Sequence, residues 1–278
     1  MEVQYQLSSI FVERKDGTIY DLDSLGFKVL TFDPPSINWV HSYQQQGRYG
    51  TTLIDTKVDA LTIPLSLVIT ASDVYDLELQ RLELKKIFDS SETFYVYSDR
   101  MPHLRWEVVA DSFQYPQTSN FWRATASINL VCPSGFAESR SSTLDVLSYD
   151  VDKWGLGMNI PHGTDLRYTF KNEPSIKVYN ASNIDLLADD KPVKIIFKGD
   201  VANKLTITNK TTDQKINYSR ALTSNDTLII DGLIPIENDQ QMYYASDHGY
   251  IDFKKGWNDI QITGATNFTV SFDTKFYY

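Results

Sequence analysis

Short runs in which apolar and polar residues alternate fill the last third of the chain. Residues 205–208 are Leu-Thr-Ile-Thr, and the polar residues 209–212 follow them. Alternation at this short spacing is typical of β-strands with one buried face. The same pattern returns at residues 193–198, 216–218, 228–230, 250–253, 260–262 and 268–272. We therefore predict a β-sandwich with turns at Gly199-Asp200, Asp247-His248-Gly249 and Thr263-Gly264, and with no room for a buried catalytic helix.

The first half of the chain contains alternating strands as well. The segment Leu61–Thr70 has an apolar residue at every second position. Pro64, on its other face, lacks a backbone N–H, which favours an edge position or a bulge. Further alternating segments lie at residues 105–111 and 122–130, whose apolar faces include Trp106 and Trp122. This part of the chain is predicted to be a second β-rich unit.

One helix is predicted between these strands, at residues 74–88, because Leu, Glu, Lys and Arg dominate there. Ser72 is its predicted N-cap. The apolar residues fall into two groups, roughly a quarter turn apart. The groups are Val74, Leu77, Leu84 and Phe88, and Tyr75, Leu79 and Leu82. A helix that is apolar over such a width is expected to be covered on two sides, by its own sheet and by a neighbouring subunit.

Residues 39–53 form a long polar and aromatic segment with Gly-Arg-Tyr-Gly at residues 47–50. Such a segment has too little apolar area to become ordered by itself. Two interpretations are open: a flexible hairpin loop, or an extended arm that pairs with the next protomer.

Composition and length agree with this organisation. The chain has 278 residues, of which 42% are hydrophobic, and it contains 17 Tyr and 14 Phe. This is enough for two domains with cores of their own, and the aromatic content favours strands and interfaces. We predict a mainly β protein. Its parts are an N-terminal β-sandwich or barrel-like domain with one helix (1–135), a connector (136–175) and a C-terminal β-sandwich like those of galectins and carbohydrate-binding modules (176–278).

The net charge of −10 argues against nucleic-acid binding. The first 140 residues carry 12 basic and 18 acidic side chains, and the remainder carries 14 and 18. Neither half can neutralise several phosphates at once. A passive conduit for DNA remains compatible with this charge, since a conduit should not be adhesive.

The chain shows no signature of secretion or membrane insertion. Cys132 is its only cysteine, so an intramolecular disulfide is impossible, and an inert core thiol is expected. The N-terminus lacks the features of a signal peptide, and no apolar run approaches the ~18 residues that span a bilayer. We expect synthesis in a host cytoplasm and no membrane association.

Catalytic and metal-binding patterns find little support. The four histidines lie in separate segments, and no nucleophile elbow, P-loop or dinucleotide fingerprint is present. Glu107 and Asp111 share a strand face with Arg105, which favours a solvated face over a carboxylate pair for glycoside hydrolysis. We predict no catalytic residues, no metal and no cofactor.

Five aromatic residues in the second half are candidates for stacking on a sugar or docking a partner. They are Trp154, Tyr243, Tyr244, Tyr250 and Trp257. The alternative, which we favour, is that they fill the sandwich core or a protein interface, where Tyr and Trp are enriched.

The order of several segments resembles the distal tail protein family of long-tailed, non-contractile phages. These segments are residues 47–50, Leu61–Thr70 with the helix after it, residues 205–210 and 227–231, and the tail from Gly249 through Gly256-Trp257-Asn258 and Gly264 to Phe272. The resemblance covers nearly the whole chain, although no single motif is diagnostic. Sugar-binding insertions that some relatives carry are absent.

The resemblance implies a structural role in the virion, at the tip of the phage tail. Distal tail proteins form a homo-hexameric ring between the tail tube protein and the tail-associated hub protein, and they dock receptor-binding or baseplate proteins. DNA would pass through the ring without specific binding. The predicted ring interface consists of Tyr43, Gln44, Arg48, Tyr49, Leu77 and Leu84.

A hypothesis from another class is that the protein is a carbohydrate-binding module that contacts the host cell surface through its C-terminal sandwich. The mass of the oligomer separates the two hypotheses. A ring component should form a closed assembly, and a sugar-binding module should be a monomer.

Overall fold

The computed structural model describes residues 9–116, 122–147, 153–161 and 163–278. The chain divides into two units, Met1–Glu138 (unit 1) and Ser139–Tyr278 (unit 2). The predicted mainly β fold is confirmed, with a single α-helix among the described residues. The predicted connector was 136–175; from Ser139 onward it is counted in unit 2, to which Trp154 and Phe170 contribute buried side chains.

Unit 1 contains a seven-strand antiparallel path, one helix and a separate two-stranded sheet. Its elements are β1 (Ile10–Glu13), β2 (Ile19–Asp21), β3 (Phe27–Phe32), β4 (Trp39–Gln45), β5 (Thr51–Val58), β6 (Leu61–Thr70), α1 (Val74–Ile87), β7 (Phe94–Ser98), β8 (Leu104–Ala110) and β9 (Arg123–Cys132), followed by the short β10 (Glu138–Ser139). The strand order is β2-β1-β7-β8-β9-β6-β3, and β4 pairs only with β5.

Strand β6 confirms the alternation seen in the sequence, because Leu61, Ile63, Leu65, Leu67 and Ile69 are all buried. It lies between β9 and β3, so it is not an edge strand. However, β3 pairs with β6 only as far as Phe32 opposite Leu65. No β3 residue therefore lies opposite Pro64, whose missing N–H is tolerated at this local edge.

The assignment of Trp122 to the buried face of a strand is wrong. Strand β9 begins at Arg123, which pairs with Thr70, and Trp122 is 50% exposed just before it. Burial in β9 starts with Ala124 and continues at every second residue to Cys132, which is a buried free thiol as expected.

The solvated face predicted for β8 is also wrong at Arg105. Its guanidinium is buried and lies 3.0 Å from Glu13 Oε1 and 2.9 Å from Glu138 Oε1. Its central carbon is 3.5 Å from the centroid of the Tyr95 ring. The charge is therefore compensated by carboxylates and an aromatic face, as a buried cation requires. On the same strand, Glu107 pairs with Lys15.

Helix α1 begins at Val74 as predicted, but its N-cap is Asp73 and not Ser72. The Asp73 carboxylate accepts a hydrogen bond from the Asp76 N–H at 2.8 Å. The Asp76 carboxylate in turn accepts from the backbone N–H and hydroxyl of Ser72. This reciprocal arrangement satisfies backbone donors at the start of the helix, as a capping box does.

Unit 2 is a second antiparallel structure of eight strands. They are β11 (Thr169–Lys171), β12 (Ser175–Asn180), β13 (Lys194–Asn209), β14 (Gln214–Tyr218), β15 (Leu228–Asp231), β16 (Ile234–Glu237), β17 (Gln240–Gln241) and β18 (Gly256–Asp273), with a short 3₁₀ turn at Tyr243–Ala245. The order is β11-β18-β13-β15-β16-β17, with β12 paired to β18 and β14 paired to β13.

Two turns predicted in unit 2 are wrong, because β13 and β18 are each one long strand. Gly199-Asp200 lies within β13 and Thr263-Gly264 within β18, and the register between these strands shifts at both places. Gly264 has a φ of +85°, and a Cβ there would collide with the carbonyl of Lys204. Both glycines thus belong to irregularities inside a continuous pair of strands.

Residues 250–253, predicted as a strand, contribute only an isolated bridge from Phe253 to Leu186. The chain bends at His248, which has a φ of +60°, but Asp247-His248-Gly249 does not join two strands as the predicted hairpin would. The buried aromatic residues of unit 2, including Phe197, Phe253 and Phe272, form its core.

Candidate assembly and docking surfaces

Strands β4 and β5 form a two-stranded hairpin, here called the arm, that has no other strand beside it. Every residue of β4, and every residue of β5 before Val58, is exposed. Gly47 and Gly50 take positive φ values of +74° and +77° at its tip. The hairpin is held by its own ladder and by a contact of 3.0 Å between His41 Nδ1 and Thr56 Oγ1.

The arm presents apolar and aromatic side chains to solvent. Tyr49 at the tip is 89% exposed. The other exposed large side chains of the arm are Trp39, Val40, Tyr43, Leu53 and Ile54. Four residues expected at a ring interface, Tyr43, Gln44, Arg48 and Tyr49, are all exposed here. Solvent-exposed apolar side chains grouped on one element mark an interaction surface.

The helix contributes a different set of residues than expected. Leu77 and Leu84 are 1% and 0% exposed, because they pack into the core of unit 1. They are therefore core residues and are not available to a partner. The exposed apolar side chains of α1 are Val74, Tyr75, Leu79 and Leu82. The sequence pattern groups Val74 with Leu77 and Leu84, which are buried.

A groove of about 440 Å³ lies beside this exposed helix face. Leu79 and Leu82 line it from α1, and Leu25 and Phe27 line it from the start of β3. Lys86 and Glu83 contribute charged side chains to its lining. Unit 1 thus has both an arm with exposed apolar and aromatic side chains and a groove lined partly by apolar side chains, which are different surfaces of the same unit.

Among the five aromatic candidates of unit 2, Trp154 is a core residue. It is 1% exposed, and its ring centroid is 5.8 Å from that of Phe276. It cannot stack on a ligand from this position. Tyr243, Tyr244, Tyr250 and Trp257 are exposed.

Tyr244 belongs to a polar cluster around a buried carboxylate. Its hydroxyl accepts a hydrogen bond from Arg220 Nη1 at 3.2 Å, and Arg220 Nε lies 3.4 Å from Glu237 Oε2. The buried Tyr218 hydroxyl also donates to Glu237. Burial and the neighbouring Glu237 carboxylate raise the pKa of Tyr218, which keeps this hydroxyl a donor.

The loop before Tyr250 is anchored by Asp247. Its carboxylate accepts from the backbone N–H groups of Asn217 at 2.9 Å and Gly249 at 3.1 Å, and from the Asn217 side chain. Burial raises the pKa of Asp247, but these hydrogen bonds outweigh burial and hold its pKa below the ordinary value.

Trp257 lies at an open groove of about 470 Å³ on the outward face of the β12–β18 pair. The sequence analysis did not find this groove. In the ladder, Trp257 is opposite Tyr179, Asp259 is opposite Lys177, and Gln261 is opposite Ser175. Arg167 and Glu173, 3.2 Å apart, also line the groove.

Within the described residues, no group of three or more His, Cys, Asp or Glu side chains is placed to hold a metal ion. In those same parts of the chain, no helix has the length and apolar character needed to cross a membrane.

Residues 15–132 match the family model of the phage tail protein RIFT-related domain. Residues 15–132 are therefore similar to a phage tail protein domain. The matched part of the chain includes the arm, β6 and α1, which are segments on which the predicted resemblance rests. The resemblance to distal tail proteins is confirmed by this match together with the fold of the whole chain.

Two solved structures share that fold. One is the Dit protein of phage SPP1, which is described as a paradigm of the hub adsorption apparatus in phages that infect Gram-positive hosts. It is 11% identical to this chain, and the match has a TM-score of 0.70 and covers 96% of this chain and 99% of that chain. A chain of the phage P2 baseplate in its activated conformation with Ca is 6% identical, with a TM-score of 0.51 over 97% and 98%. No curated protein matches the tail protein in sequence.

Proposed function

We propose that this phage tail protein forms a homo-hexameric ring at the tail tip, between the tail tube protein and the tail-associated hub protein. In this proposal the ring also docks receptor-binding or other baseplate proteins, and it acts without catalysis. The fully exposed arm is the observation that carries the proposal. The tail domain and the shared fold support the tail location.

The arm is difficult to explain in an isolated chain. A two-stranded hairpin is at best marginally stable in water without a third strand or a packed face. Tyr43, Leu53 and Ile54 are exposed on it. Burying such side chains against another molecule would contribute about 25 cal/mol per Å² of apolar surface. The arm is therefore built to pack on a partner.

A second copy of the chain supplies a suitable partner surface. The groove beside α1 is lined by Leu25, Leu79 and Leu82, and it is apolar like the arm. Because arm and groove are different surfaces, the contact is heterologous, and each copy can give one arm and receive another. Heterologous contacts close into a ring when the rotation between copies permits. The number six comes from the resemblance to distal tail proteins.

Native mass spectrometry and negative-stain electron microscopy test the ring directly. The full chain should show a hexameric mass and closed ring particles at assembly concentrations, or when mixed with its tail tube and hub proteins. A chain that is monomeric under all these conditions overturns the proposal.

Substitutions in the arm assign the interface. The double variant Leu53→Ser/Ile54→Ser should shift the population from ring to monomer while keeping the thermal unfolding of the wild type. Leu156→Ser removes a similarly exposed apolar side chain from unit 2 and should leave the ring intact. If both variants assemble alike, the arm does not form the interface.

A further inference from the structure

We propose that the groove on the outward face of β12 and β18 binds an uncharged oligosaccharide. This site is formed entirely by residues of unit 2. The proposal does not depend on ring formation, because it requires only that unit 2 be folded.

The groove lies along a ladder of outward-facing side chains, of which Ser175, Lys177, Trp257 and Asp259 line it. Along β12 and β18 the cross-strand pairs are Tyr179 with Trp257, Lys177 with Asp259, and Ser175 with Gln261. Side chains two residues apart on a strand are separated by about 6.7 Å. The ladder thus presents an aromatic pair, a charged pair and a neutral polar pair at successive steps along the two strands.

Trp257 is positioned as a stacking platform. It is 43% exposed although it lies in a well-formed strand. Tyr179 supports it, with ring centroids 4.9 Å apart and an interplanar angle of 60°. The Tyr179 hydroxyl donates to the carbonyl of Asn159 at 3.1 Å, which fixes that ring in place. A rigid, amphipathic indole can cover the apolar C–H face of a pyranose at little entropic cost.

The charges of the groove indicate which ligand class it fits. Three acidic and three basic side chains line it, so their formal charges cancel: Asp165, Glu173, Asp259, Arg167, Lys177 and Lys210. A nucleic acid or another polyanion would need an excess of positive charge. A ligand with many hydroxyl groups needs donors and acceptors side by side, which these side chains supply.

The ion pairs of the groove can exchange partners at small cost. Lys177 Nζ lies 3.6 Å from Asp259 Oδ1, and both side chains are more than half exposed. Exposed ion pairs contribute only about 0–1 kcal/mol. Hydroxyl groups of a sugar can therefore take their place without a large penalty. The volume of about 470 Å³ is within the usual range of about 300–1,000 Å³ for small-molecule sites.

The test is an NMR titration of the full chain with ¹⁵N-labelled tryptophan. The probes are hexasaccharides of glucose, mannose, galactose and N-acetylglucosamine at millimolar concentrations, with heparin as a polyanionic probe. At least one neutral probe should shift the Trp257 indole N–H signal in a saturable way. Trp257 is assigned from the spectrum of Trp257→Phe.

Binding of that probe should weaken roughly tenfold in Trp257→Ala, a change equivalent to about 1.4 kcal/mol. Tyr244→Ala is the matched control, since Tyr244 is an exposed aromatic residue of unit 2 that does not line the groove. It should bind like the wild type. If Trp257→Ala still assembles into rings while it binds sugar more weakly, the result concerns the groove alone and does not bear on the proposed ring.

Three outcomes would overturn the proposal. The first is that no neutral probe shifts the Trp257 signal. The second is that heparin binds the groove more tightly than every neutral probe. The third is that Trp257→Ala binds sugar normally but loses a tail or baseplate protein that the wild type retains, which would make the groove a protein-docking surface.

Discussion

Asn209 and Asn258 form a buried side-chain pair in which Asn209 Nδ2 donates to Asn258 Oδ1 at 3.1 Å. The pair joins the end of β13 to the start of β18. Asn258 Oδ1 also accepts from the Lys254 N–H, and Asn258 Nδ2 donates to the carbonyls of Lys254 and Gly256. Since Asn258 lies between Trp257 and Asp259, this pair also fixes the strand backbone that carries these two groove residues.

We expect Asn258→Leu to destabilise unit 2 by about 2 kcal/mol or more, because it removes the hydrogen bonds of the buried Asn258 side chain to Asn209 and to the backbone of Lys254 and Gly256. Urea unfolding followed by fluorescence measures the loss. Asn203→Leu makes the same substitution at an exposed position of β13 and should change stability by less than about 0.5 kcal/mol. Equal stability of the two variants would contradict the role assigned to the pair.

Leu65→Asp is expected to unfold unit 1. Leu65 is 0% exposed, and an unpaired buried charge costs several kcal/mol, a sum close to the stability of a whole domain. Trp122→Asp should remain folded, since Trp122 is half exposed ahead of β9. Circular dichroism and thermal melting compare the two. A cooperative, wild-type-like melt of Leu65→Asp would show that the assignment of strand faces is wrong.

The stability of unit 2 should decrease in acid partly through Asp247. Its pKa is held below the ordinary value in the folded state, so its carboxylate stabilises the fold above an unfolded pKa of about 3.9. This stabilisation is lost as the pH falls through the lower folded pKa. Unfolding free energies measured from pH 6 to strongly acidic conditions should decline, and Asp247→Ala should show a shallower decline. An unchanged slope in the variant would exclude Asp247 as a source.

The isolated protein should not bind duplex DNA. The first 140 residues carry a net charge of −6, and DNA binding requires several phosphates to be neutralised together, each adding about one unit to the salt slope. A mobility-shift titration at low salt is the most sensitive test, because electrostatic attraction between protein and DNA is least screened under that condition. Sub-micromolar binding that weakens steeply with salt would end the hypothesis of a passive conduit.

Local pattern was enough to predict much of unit 1. The strict alternation of Leu61–Thr70 reports directly which side chains are buried, and the composition of residues 74–88 predicts α1. The observed N-cap, Asp73, differs from the predicted one, Ser72, because both residue types are good N-caps and tertiary context selects between them. Periodicity could not reveal that Leu77 and Leu84 face the core while Leu79 and Leu82 face solvent, since both pairs are apolar.

The long strands of unit 2 were harder to predict for a different reason. A glycine with positive φ, such as Gly264, occurs in turns and in bulges alike, so β18 resembled two strands joined by a hairpin. The groove beside Trp257 depends on the register of β12 against β18, which joins residues far apart in sequence. The only local signal was the polar or aromatic residue at every second position of 175–179 and 257–261.

The pairing of β18 also sets an order of events during synthesis. This one strand forms ladders with β11, β12 and β13, all far earlier in the chain. Non-local pairing of this kind is slow, and unpaired strand edges are prone to aggregation. On the ribosome, unit 1 can finish folding while unit 2 waits for residues 256–273. During synthesis there is therefore an interval in which the edge of β13 that pairs with β18 has no partner, and in this interval the edge is open to pairing with another chain.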